Sequence, residues 1–184
     1  AEWEKALGRI EVDGKEEDLR LFYTALYHSL VMPRDRSGDN PHFQGTDHID
    51  DHFCVWDTWR TAYPLLTLIE ESFVARTINS FIDRMAHDGK CTPTYTASME
   101  WDSKQGGDDV DNIIADAILK NVKGFDRKKA YGVMLENARR ARCPEYLEKG
   151  WVPGEGKMMS CSYTMEYAYN DDCLARIAAT MGDS

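Results

Sequence analysis

The sequence predicts an all-α protein, an array of paired helices joined by loops. Three observations carry that prediction. Apolar side chains recur at i, i+3, i+4 and i+7 along most segments. No run of about four to eight residues alternates apolar and polar side chains as a half-buried strand does. Long irregular segments alternate with short ones, giving a repeated helix–loop–helix pattern.

The first predicted helix spans residues 16–31, where Leu19, Phe22, Tyr23, Leu26, Tyr27 and Leu30 fall on one stripe. Asp13-Gly14 marks its start and Pro33 its end. Residues 33–52 read as a loop, because Pro33, Gly38, Asp39, Asn40, Pro41 and Gly45 break any period. A second helical stretch covers residues 54–69, with a kink or break expected at Pro64. A third covers residues 72–87 and stops at Asp88-Gly89, a good C-cap. Residues 90–108 form the second long irregular segment. Loops of about 20 residues are uncommon unless they serve a function, and both of these are rich in Asp, His, Glu and aromatics.

The next helix spans residues 109–121, with Ile113, Ile114, Ala117 and Ile118 as its apolar face. Asp126 caps a helix reaching residue 142, with Ala130, Tyr131, Val133, Met134 and Ala138 as its buried side. Residues 144–150 make a short helical turn and 151–159 a loop. The last helix covers residues 160–181 and Gly182 ends it. The whole, residues 1–184, reads as a single helical domain, long enough for a real core.

Charge narrows the function. The chain carries 32 acidic and 22 basic side chains, a formal charge of -10. Nucleic acid requires a basic face, so it is excluded as a partner, whereas a cation suits the balance. No apolar run approaches a membrane span and no signal peptide is recognisable. A start at Ala1 fits a mature or cleaved piece. The five cysteines, Cys54, Cys91, Cys143, Cys161 and Cys173, show no zinc spacing and read mainly as buried free thiols, with one or two disulfides open in a secreted protein.

The most informative segment is Trp56-Asp57-Thr58-Trp59-Arg60. Two indoles, a carboxylate and a guanidinium within five positions suit a sugar site, with flat faces for C–H surfaces and charges for hydroxyls. The alternative is a core helix with an internal Asp57–Arg60 pair at i,i+3, and Trp56 and Trp59 as packing. Asp47, His48, Asp50, Asp51 and His52 form a cluster in the first loop, readable as a metal site or as solvated charge. Asp108, Asp109 and Asp111 read as helix-start charges favoured by the dipole. Glu166, spaced away from Asp171 and Asp172 on its helix, reads as a structural hydrogen-bonding residue.

Five blocks of residues, in order, resemble glycoside hydrolase family 92, the calcium-dependent exo-α-mannosidases. They are Phe22 to Leu30 with Pro33, Phe43-Gln44-Gly45-Thr46-Asp47, Trp56 to Thr61 with Pro64 to Ile69, Ile114-Ala115-Asp116-Ala117 with Lys120, and Ser162 to Asp172. The resemblance implies part of an (α/α)6 toroid. It also implies an incomplete catalytic domain, lacking the preceding β-sandwich and the later helices. The expected activity is inverting hydrolysis of α-mannosides in glycans, active together with sequence outside this chain. A non-enzymatic glycan-binding or structural protein of the same fold is the alternative.

Inversion needs one carboxylic acid to protonate the leaving oxygen and a second carboxylate, about 6.5–9.5 Å away, to activate water. By resemblance Glu100 is the acid, sixteen residues before Asp116. Met99 and Trp101 replace the family's Asn and Thr there, and an apolar flank would keep the acid protonated near neutrality. Asp57 maps onto the sugar-binding Asp, with Arg60, Trp56 and Asp47 as further substrate-binding residues. The base and the Ca2+ ligands map to sequence beyond this chain, which has no EF-hand spacing, so no metal ligand is assigned within it. The implied partners are mannose-containing glycans and whatever completes the toroid, and the implied compartment is secreted or extracytoplasmic.

Overall fold

The computed structural model describes residues 2–40, 42–43, 47–89, 95–97, 100–102, 106–140, 142–154 and 159–183, with 95–97, 100–102 and 140 described by backbone alone. Its helices among these residues are α1 (Glu2–Leu7), α2 (Glu16–Ser29), α3 (Val55–Thr58), α4 (Ala62–Ile69), α5 (Glu71–Asp88), α6 (Asp109–Leu119), α7 (Arg127–Arg140), α8 (Pro144–Lys149) and α9 (Ser160–Met181). The all-α expectation holds. Two short antiparallel ribbons were not anticipated: β1 (Arg34–Asp35) with β2 (Ile49–Asp50), and β3 (Tyr95–Ala97) with β4 (Glu100–Asp102). Strands of two or three residues are too short to show a period in sequence.

The core lies around α6. Val110, Ile113, Ile114, Ala115, Ala117 and Ile118 are all buried. A broad apolar face belongs in the interior, and α6 packs against α4, α5, α7 and α9. Val74, Ile78 and Phe81 of α5, Ala130, Val133 and Met134 of α7, and Ile177 of α9 complete the cluster. Phe81 is fully buried, whereas Trp3 and Trp151 are half-exposed.

The break in the second helical stretch falls before Pro64, not at it. Thr61 (φ -130°, ψ -78°) separates α3 from α4. Pro64 sits in the first turn of α4, where a missing N–H breaks no intrahelical bond. At the end of α5, Gly89 adopts φ +69° and its N–H donates to the Met85 carbonyl, the αL cap that Asp88-Gly89 foretold. Asp126 accepts from the N–H groups of Lys128 and Lys129 at 2.9 and 3.1 Å, as expected of a cap.

Two expectations need correction. The α2 stripe is only partly covered: Leu26 is buried, Leu19, Phe22, Tyr23 and Leu30 are half-buried, and Tyr27 packs tilted against Trp3 of α1 with ring centres 4.6 Å apart. The loop cluster is not solvated charge either, since His48, Asp50, Asp51 and His52 are buried and Asp47 alone is exposed. The β1–β2 ribbon turns this loop onto α5, which supplies the partners. Ser80 Oγ accepts the Ile49 N–H at 2.8 Å, and Arg84 Nη2 donates to both Asp50 oxygens at 3.0 and 2.9 Å. Burial would raise Asp50, but the His48 ring 3.6 Å away and the Arg84 charge hold it at about 2. His52 Nδ1 lies 2.7 Å from Tyr63 Oη, and desolvation pushes its pKa down to about 4. Buried ions survive because each has a counter-charge. Cys54, Cys143, Cys161 and Cys173 are free, but none is fully buried. Cys91 lies outside the described residues.

Candidate functional site

Cys54, at φ +47°, turns the chain into α3, and buried Val55 anchors that single turn on α6. Asp57 and Arg60 are left facing solvent, with Trp56 and Trp59 half-buried between them. Arg60 does not pair with Asp57. Its Nη2 donates to Glu166 Oε1 at 3.0 Å and Oε2 at 3.2 Å, and its Nη1 donates to the Trp56 carbonyl. The guanidinium carbon lies 4.1 Å from the Trp59 ring centre, and Trp59 stands 4.9 Å from Tyr169. The aromatic plane thus orients the cation. Trp59 also packs against the core, as the packing alternative had it.

Glu166 and Tyr169 come from α9, which lies along α6. Asn170 of α9 is buried between the two helices. Its Oδ1 accepts the Asp108 N–H at 2.8 Å and its Nδ2 donates to Asn112 Oδ1 at 3.0 Å. The acids at the start of α6 are therefore not surface helix-start charges. Asp108, Asp109 and Asp111 are all buried. Arg142 Nε donates to Asp108 Oδ2 at 2.9 Å and the same side chain pairs with Asp171, which also accepts from Tyr146 Oη at 2.8 Å. Asn137 Nδ2 donates to Asp111 Oδ1 at 2.9 Å.

Burial raises these carboxyls, because desolvation disfavours the charged form. Asp111 rises well above the usual range through burial and the nearby Asp108. Desolvation and then the Glu166 charge push Asp109 up to about 7, with Arg60 and the Gly107 N–H acting the other way. Gly106 (φ +76°) and Gly107 pass so closely that a side chain has no room at either. A Cβ on Gly106 would strike Asp109 Oδ2 and come within 3.0 Å of Trp56 Cβ, and one on Gly107 would strike Asn170 Oδ1.

Asp47 belongs to a different constellation. Its carboxylate is bound by Arg76, which also holds Asp35 at 2.5 Å, and it accepts from Ser37 Oγ at 3.2 Å. Gln44, Gly45 and Thr46 of the same block lie outside the described residues. Glu100 lies in β4, its backbone opposite Ala97 of β3, and its side chain lies outside the described residues. A cavity of about 680 Å³ opens between α1, α4 and α5, lined by Trp3, Arg9, Leu66 and Phe73, away from Trp56, Asp57 and Arg60. Among the described residues no three His, Cys, Asp or Glu side chains gather to hold a metal.

Sequence reading missed Asp109 and Asn170. Their burial comes from α7 and α9 packing over the first turn of α6, which local sequence does not announce. Chemically, the surface around α3 offers acceptors at Asp57 and Glu166, a donor at Arg60 and flat faces at Trp56 and Tyr169.

The chain matches the model of the glycosyl hydrolase family 92 catalytic domain across residues 1–184. Its fold superposes on a family GH92 α-mannosidase from Bacteroides thetaiotaomicron with a TM-score of 0.89 and 29% identity, covering 98% of this chain and 26% of that one. The same enzyme in complex with mannoimidazole gives 0.88 over 98% and 25%. A family GH92 inverting mannosidase from the same organism gives 0.84 at 28% identity, over 98% and 27%. An uncharacterized secreted glycosidase from Arthroderma benhamiae is 25% identical across 98% of this chain and 23% of its own length. The chain thus spans about a quarter of the relatives it matches, and its paired helices are part of the helical toroid expected of them. From residue 1 to residue 184, this chain belongs to the catalytic domain of glycosyl hydrolase family 92.

Proposed function

We propose that this chain is part of an exo-acting α-mannosidase that removes mannose from glycans with inversion, and that it works together with further sequence of the same protein or with another chain completing the toroid. The observation that carries this reading is the family match over residues 1–184, coupled to a cluster of Trp56, Asp57, Arg60 and Glu166 with the chemistry to hold a sugar. In this reading Asp57 accepts hydroxyls of the terminal sugar. Arg60, tied to Glu166 and stacked on Trp59, sets the charge beside it. Trp56 supplies an apolar face. Asp47, committed to Arg76, acts at a distance if it acts on substrate at all.

Glu100 is the proposed general acid, carried on the β3–β4 ribbon that leads into Gly106 and α6. Positioned acids of this kind contribute roughly 10²–10⁴-fold. The base comes from elsewhere in the toroid. Calcium enters through the family. The residues described here do not make a site for it: no three ligating side chains gather, and Glu166 is held by Arg60. Its ligands would lie outside this chain. A secreted or extracytoplasmic setting fits the relative named as secreted.

The test is hydrolysis of a simple α-mannoside by the complete protein, with the anomer of the released mannose followed by NMR. Glu100→Gln is expected to lower kcat by about 10²–10⁴-fold while mannose still binds. Met99 and Trp101 flanking Glu100 favour the second reading, a non-enzymatic glycan-binding protein. That reading prevails if the wild-type protein binds mannosides without turnover and Glu100→Gln changes nothing.

A further inference from the structure

We propose that Asp109 is a positioning residue for the Arg60–Glu166 pair, a buried carboxylic acid clamped against the Gly106–Gly107 turn that ties the segment bearing Glu100 to α9. This rests on reading the α3–α9 surface as the sugar site.

Four observations converge. Asp109 has no exposed surface, and its Oδ2 has no hydrogen-bond partner among the described residues. Its Oδ1 accepts weakly from Asn112 Nδ2 at 3.3 Å, and the nearby Gly107 backbone draws its pKa down against the burial. Gly106 holds a left-handed φ of +76°, and its α-carbon faces Oδ2 with no space for a methyl group. Glu166 Cβ lies 3.0 Å from the place a Cβ on Gly107 would take. The turn is therefore threaded between Trp56 and Asp109 on one side and Glu166 and Asn170 on the other.

Charge explains why such a group is there. The groups that face Asp109 are Arg60 from the link after α3, Glu166 from α9, and Asp108 and Asp111 from its own helix. Asp108 is matched by Arg142, and burial raises the pKa of Asp111 beside Asn137. Among the described residues, Arg60 is then the cation that acts on Asp109 and pairs with Glu166. It binds Glu166 in a forked geometry. Two anions beside one guanidinium repel, and burial disfavours the charge on Asp109, so Asp109 holds its proton up to about pH 7 and leaves Arg60 to Glu166. Ionised, Asp109 would compete for Arg60 and press on Glu166, loosening the turn that leads to β4.

The experiment uses the complete protein, with Asp109→Asn, an isostere of the neutral acid, and Asp109→Ala. Thermal melting is followed from pH 4 to pH 8. The wild type binds a proton at Asp109 more tightly folded than unfolded, so its contribution is present at low pH and lost as pH rises toward about 7. The melting temperature of Asp109→Asn relative to wild type is expected to climb by several degrees across that window. Hydrolysis of an α-mannoside at pH 6 is expected to stay within about threefold of wild type for Asp109→Asn and to fall at least tenfold for Asp109→Ala. Parallel melting profiles, an Asp109→Asn protein that does not fold, or equal activities for the two variants would each overturn the proposal. The melting arm needs no turnover. A wild type that hydrolyses nothing thus removes the glycosidase reading while leaving this inference to be decided by the pH profile alone.

Discussion

The decisive contacts at the residue scale are long-range charge pairs. Arg60 reaches Glu166, Arg84 reaches Asp50 and Arg142 reaches Asp108. They differ in consequence because they differ in burial. Arg60 is half-exposed, so its pairing contributes only about 0–1 kcal/mol to folding. Arg60→Ala is expected to leave the melting temperature nearly unchanged while lowering kcat/KM on mannosides about 10- to 100-fold, as steady-state kinetics would show. Arg84→Ala strands a buried Asp50, and removing one partner of such a pair costs about 3–5 kcal/mol. Chemical denaturation of that variant should show the loss.

The titrations at this scale oppose each other. His52 titrates from 6.5 unfolded to about 4 folded, because desolvation disfavours its cation. The unfolded state binds the proton more tightly there, so stability is lost as pH falls from about 6.5 toward 4. Asp109 has the reverse sign over nearly the same window, losing stability as pH rises toward about 7. Asp108, pushed up to about 6, and Asp111, raised by burial, act in the same direction as Asp109, so the wild type should lose melting temperature as pH rises through this range, with His52 offsetting part of the loss. His52→Gln, which cannot take up a proton, should steepen that decline. A His52→Gln profile parallel to the wild type's would contradict the assignment.

At the scale of elements, the helices were legible where the period was long. The 109–121 stretch, the capped helix from Asp126 and the final helix were found nearly to the residue, because several turns of apolar spacing leave few alternatives. The ribbons β1–β2 and β3–β4 were not legible, and neither was α1. Two residues carry no period, and Glu2–Leu7 is held by α2 and not by its own pattern. The segment proposed for sugar binding was visible as Trp56 to Arg60, but the alternative reading paired Arg60 with Asp57. Local spacing favoured i,i+3, and nothing in local sequence announces a partner 106 positions away. The buried loop cluster was misread for the same reason: Arg84 stands 34 residues from Asp50.

Element-level packing also makes its own prediction. Ile114 is fully buried in the centre of α6. Ile114→Ala should cost about 2–5 kcal/mol through lost burial and the cavity left behind. Gly106→Ala should cost at least about 1 kcal/mol from the positive φ alone, with more from the collision with Asp109. Urea titrations would measure both, and an unchanged midpoint for Gly106→Ala would mean that the turn is looser than described.

Considered as a whole, the molecule leaves large apolar side chains in water. Leu21 is 72% exposed, Leu68 78% and Met165 73%, with Trp3 and Trp151 half-exposed. Exposed apolar surface of this kind marks contact with other protein, which accords with a segment that covers about a quarter of its relatives. The formal charge of -10 opposes association. Residues 1–184 on their own should therefore self-associate more strongly as salt screens that repulsion, and Leu21→Glu with Met165→Glu should suppress the effect. Analytical ultracentrifugation at low and high salt would test it.

The forked bond between Arg60 and Glu166 has a temporal consequence. A ribosome delivers Arg60 long before Glu166, with 106 residues of chain between them. Until α9 has emerged and docked, the guanidinium lacks its forked Glu166 partner, and α3 is held only through Val55 on α6. Carbohydrate affinity should accordingly arrive late in synthesis, as one of the last properties the nascent segment acquires.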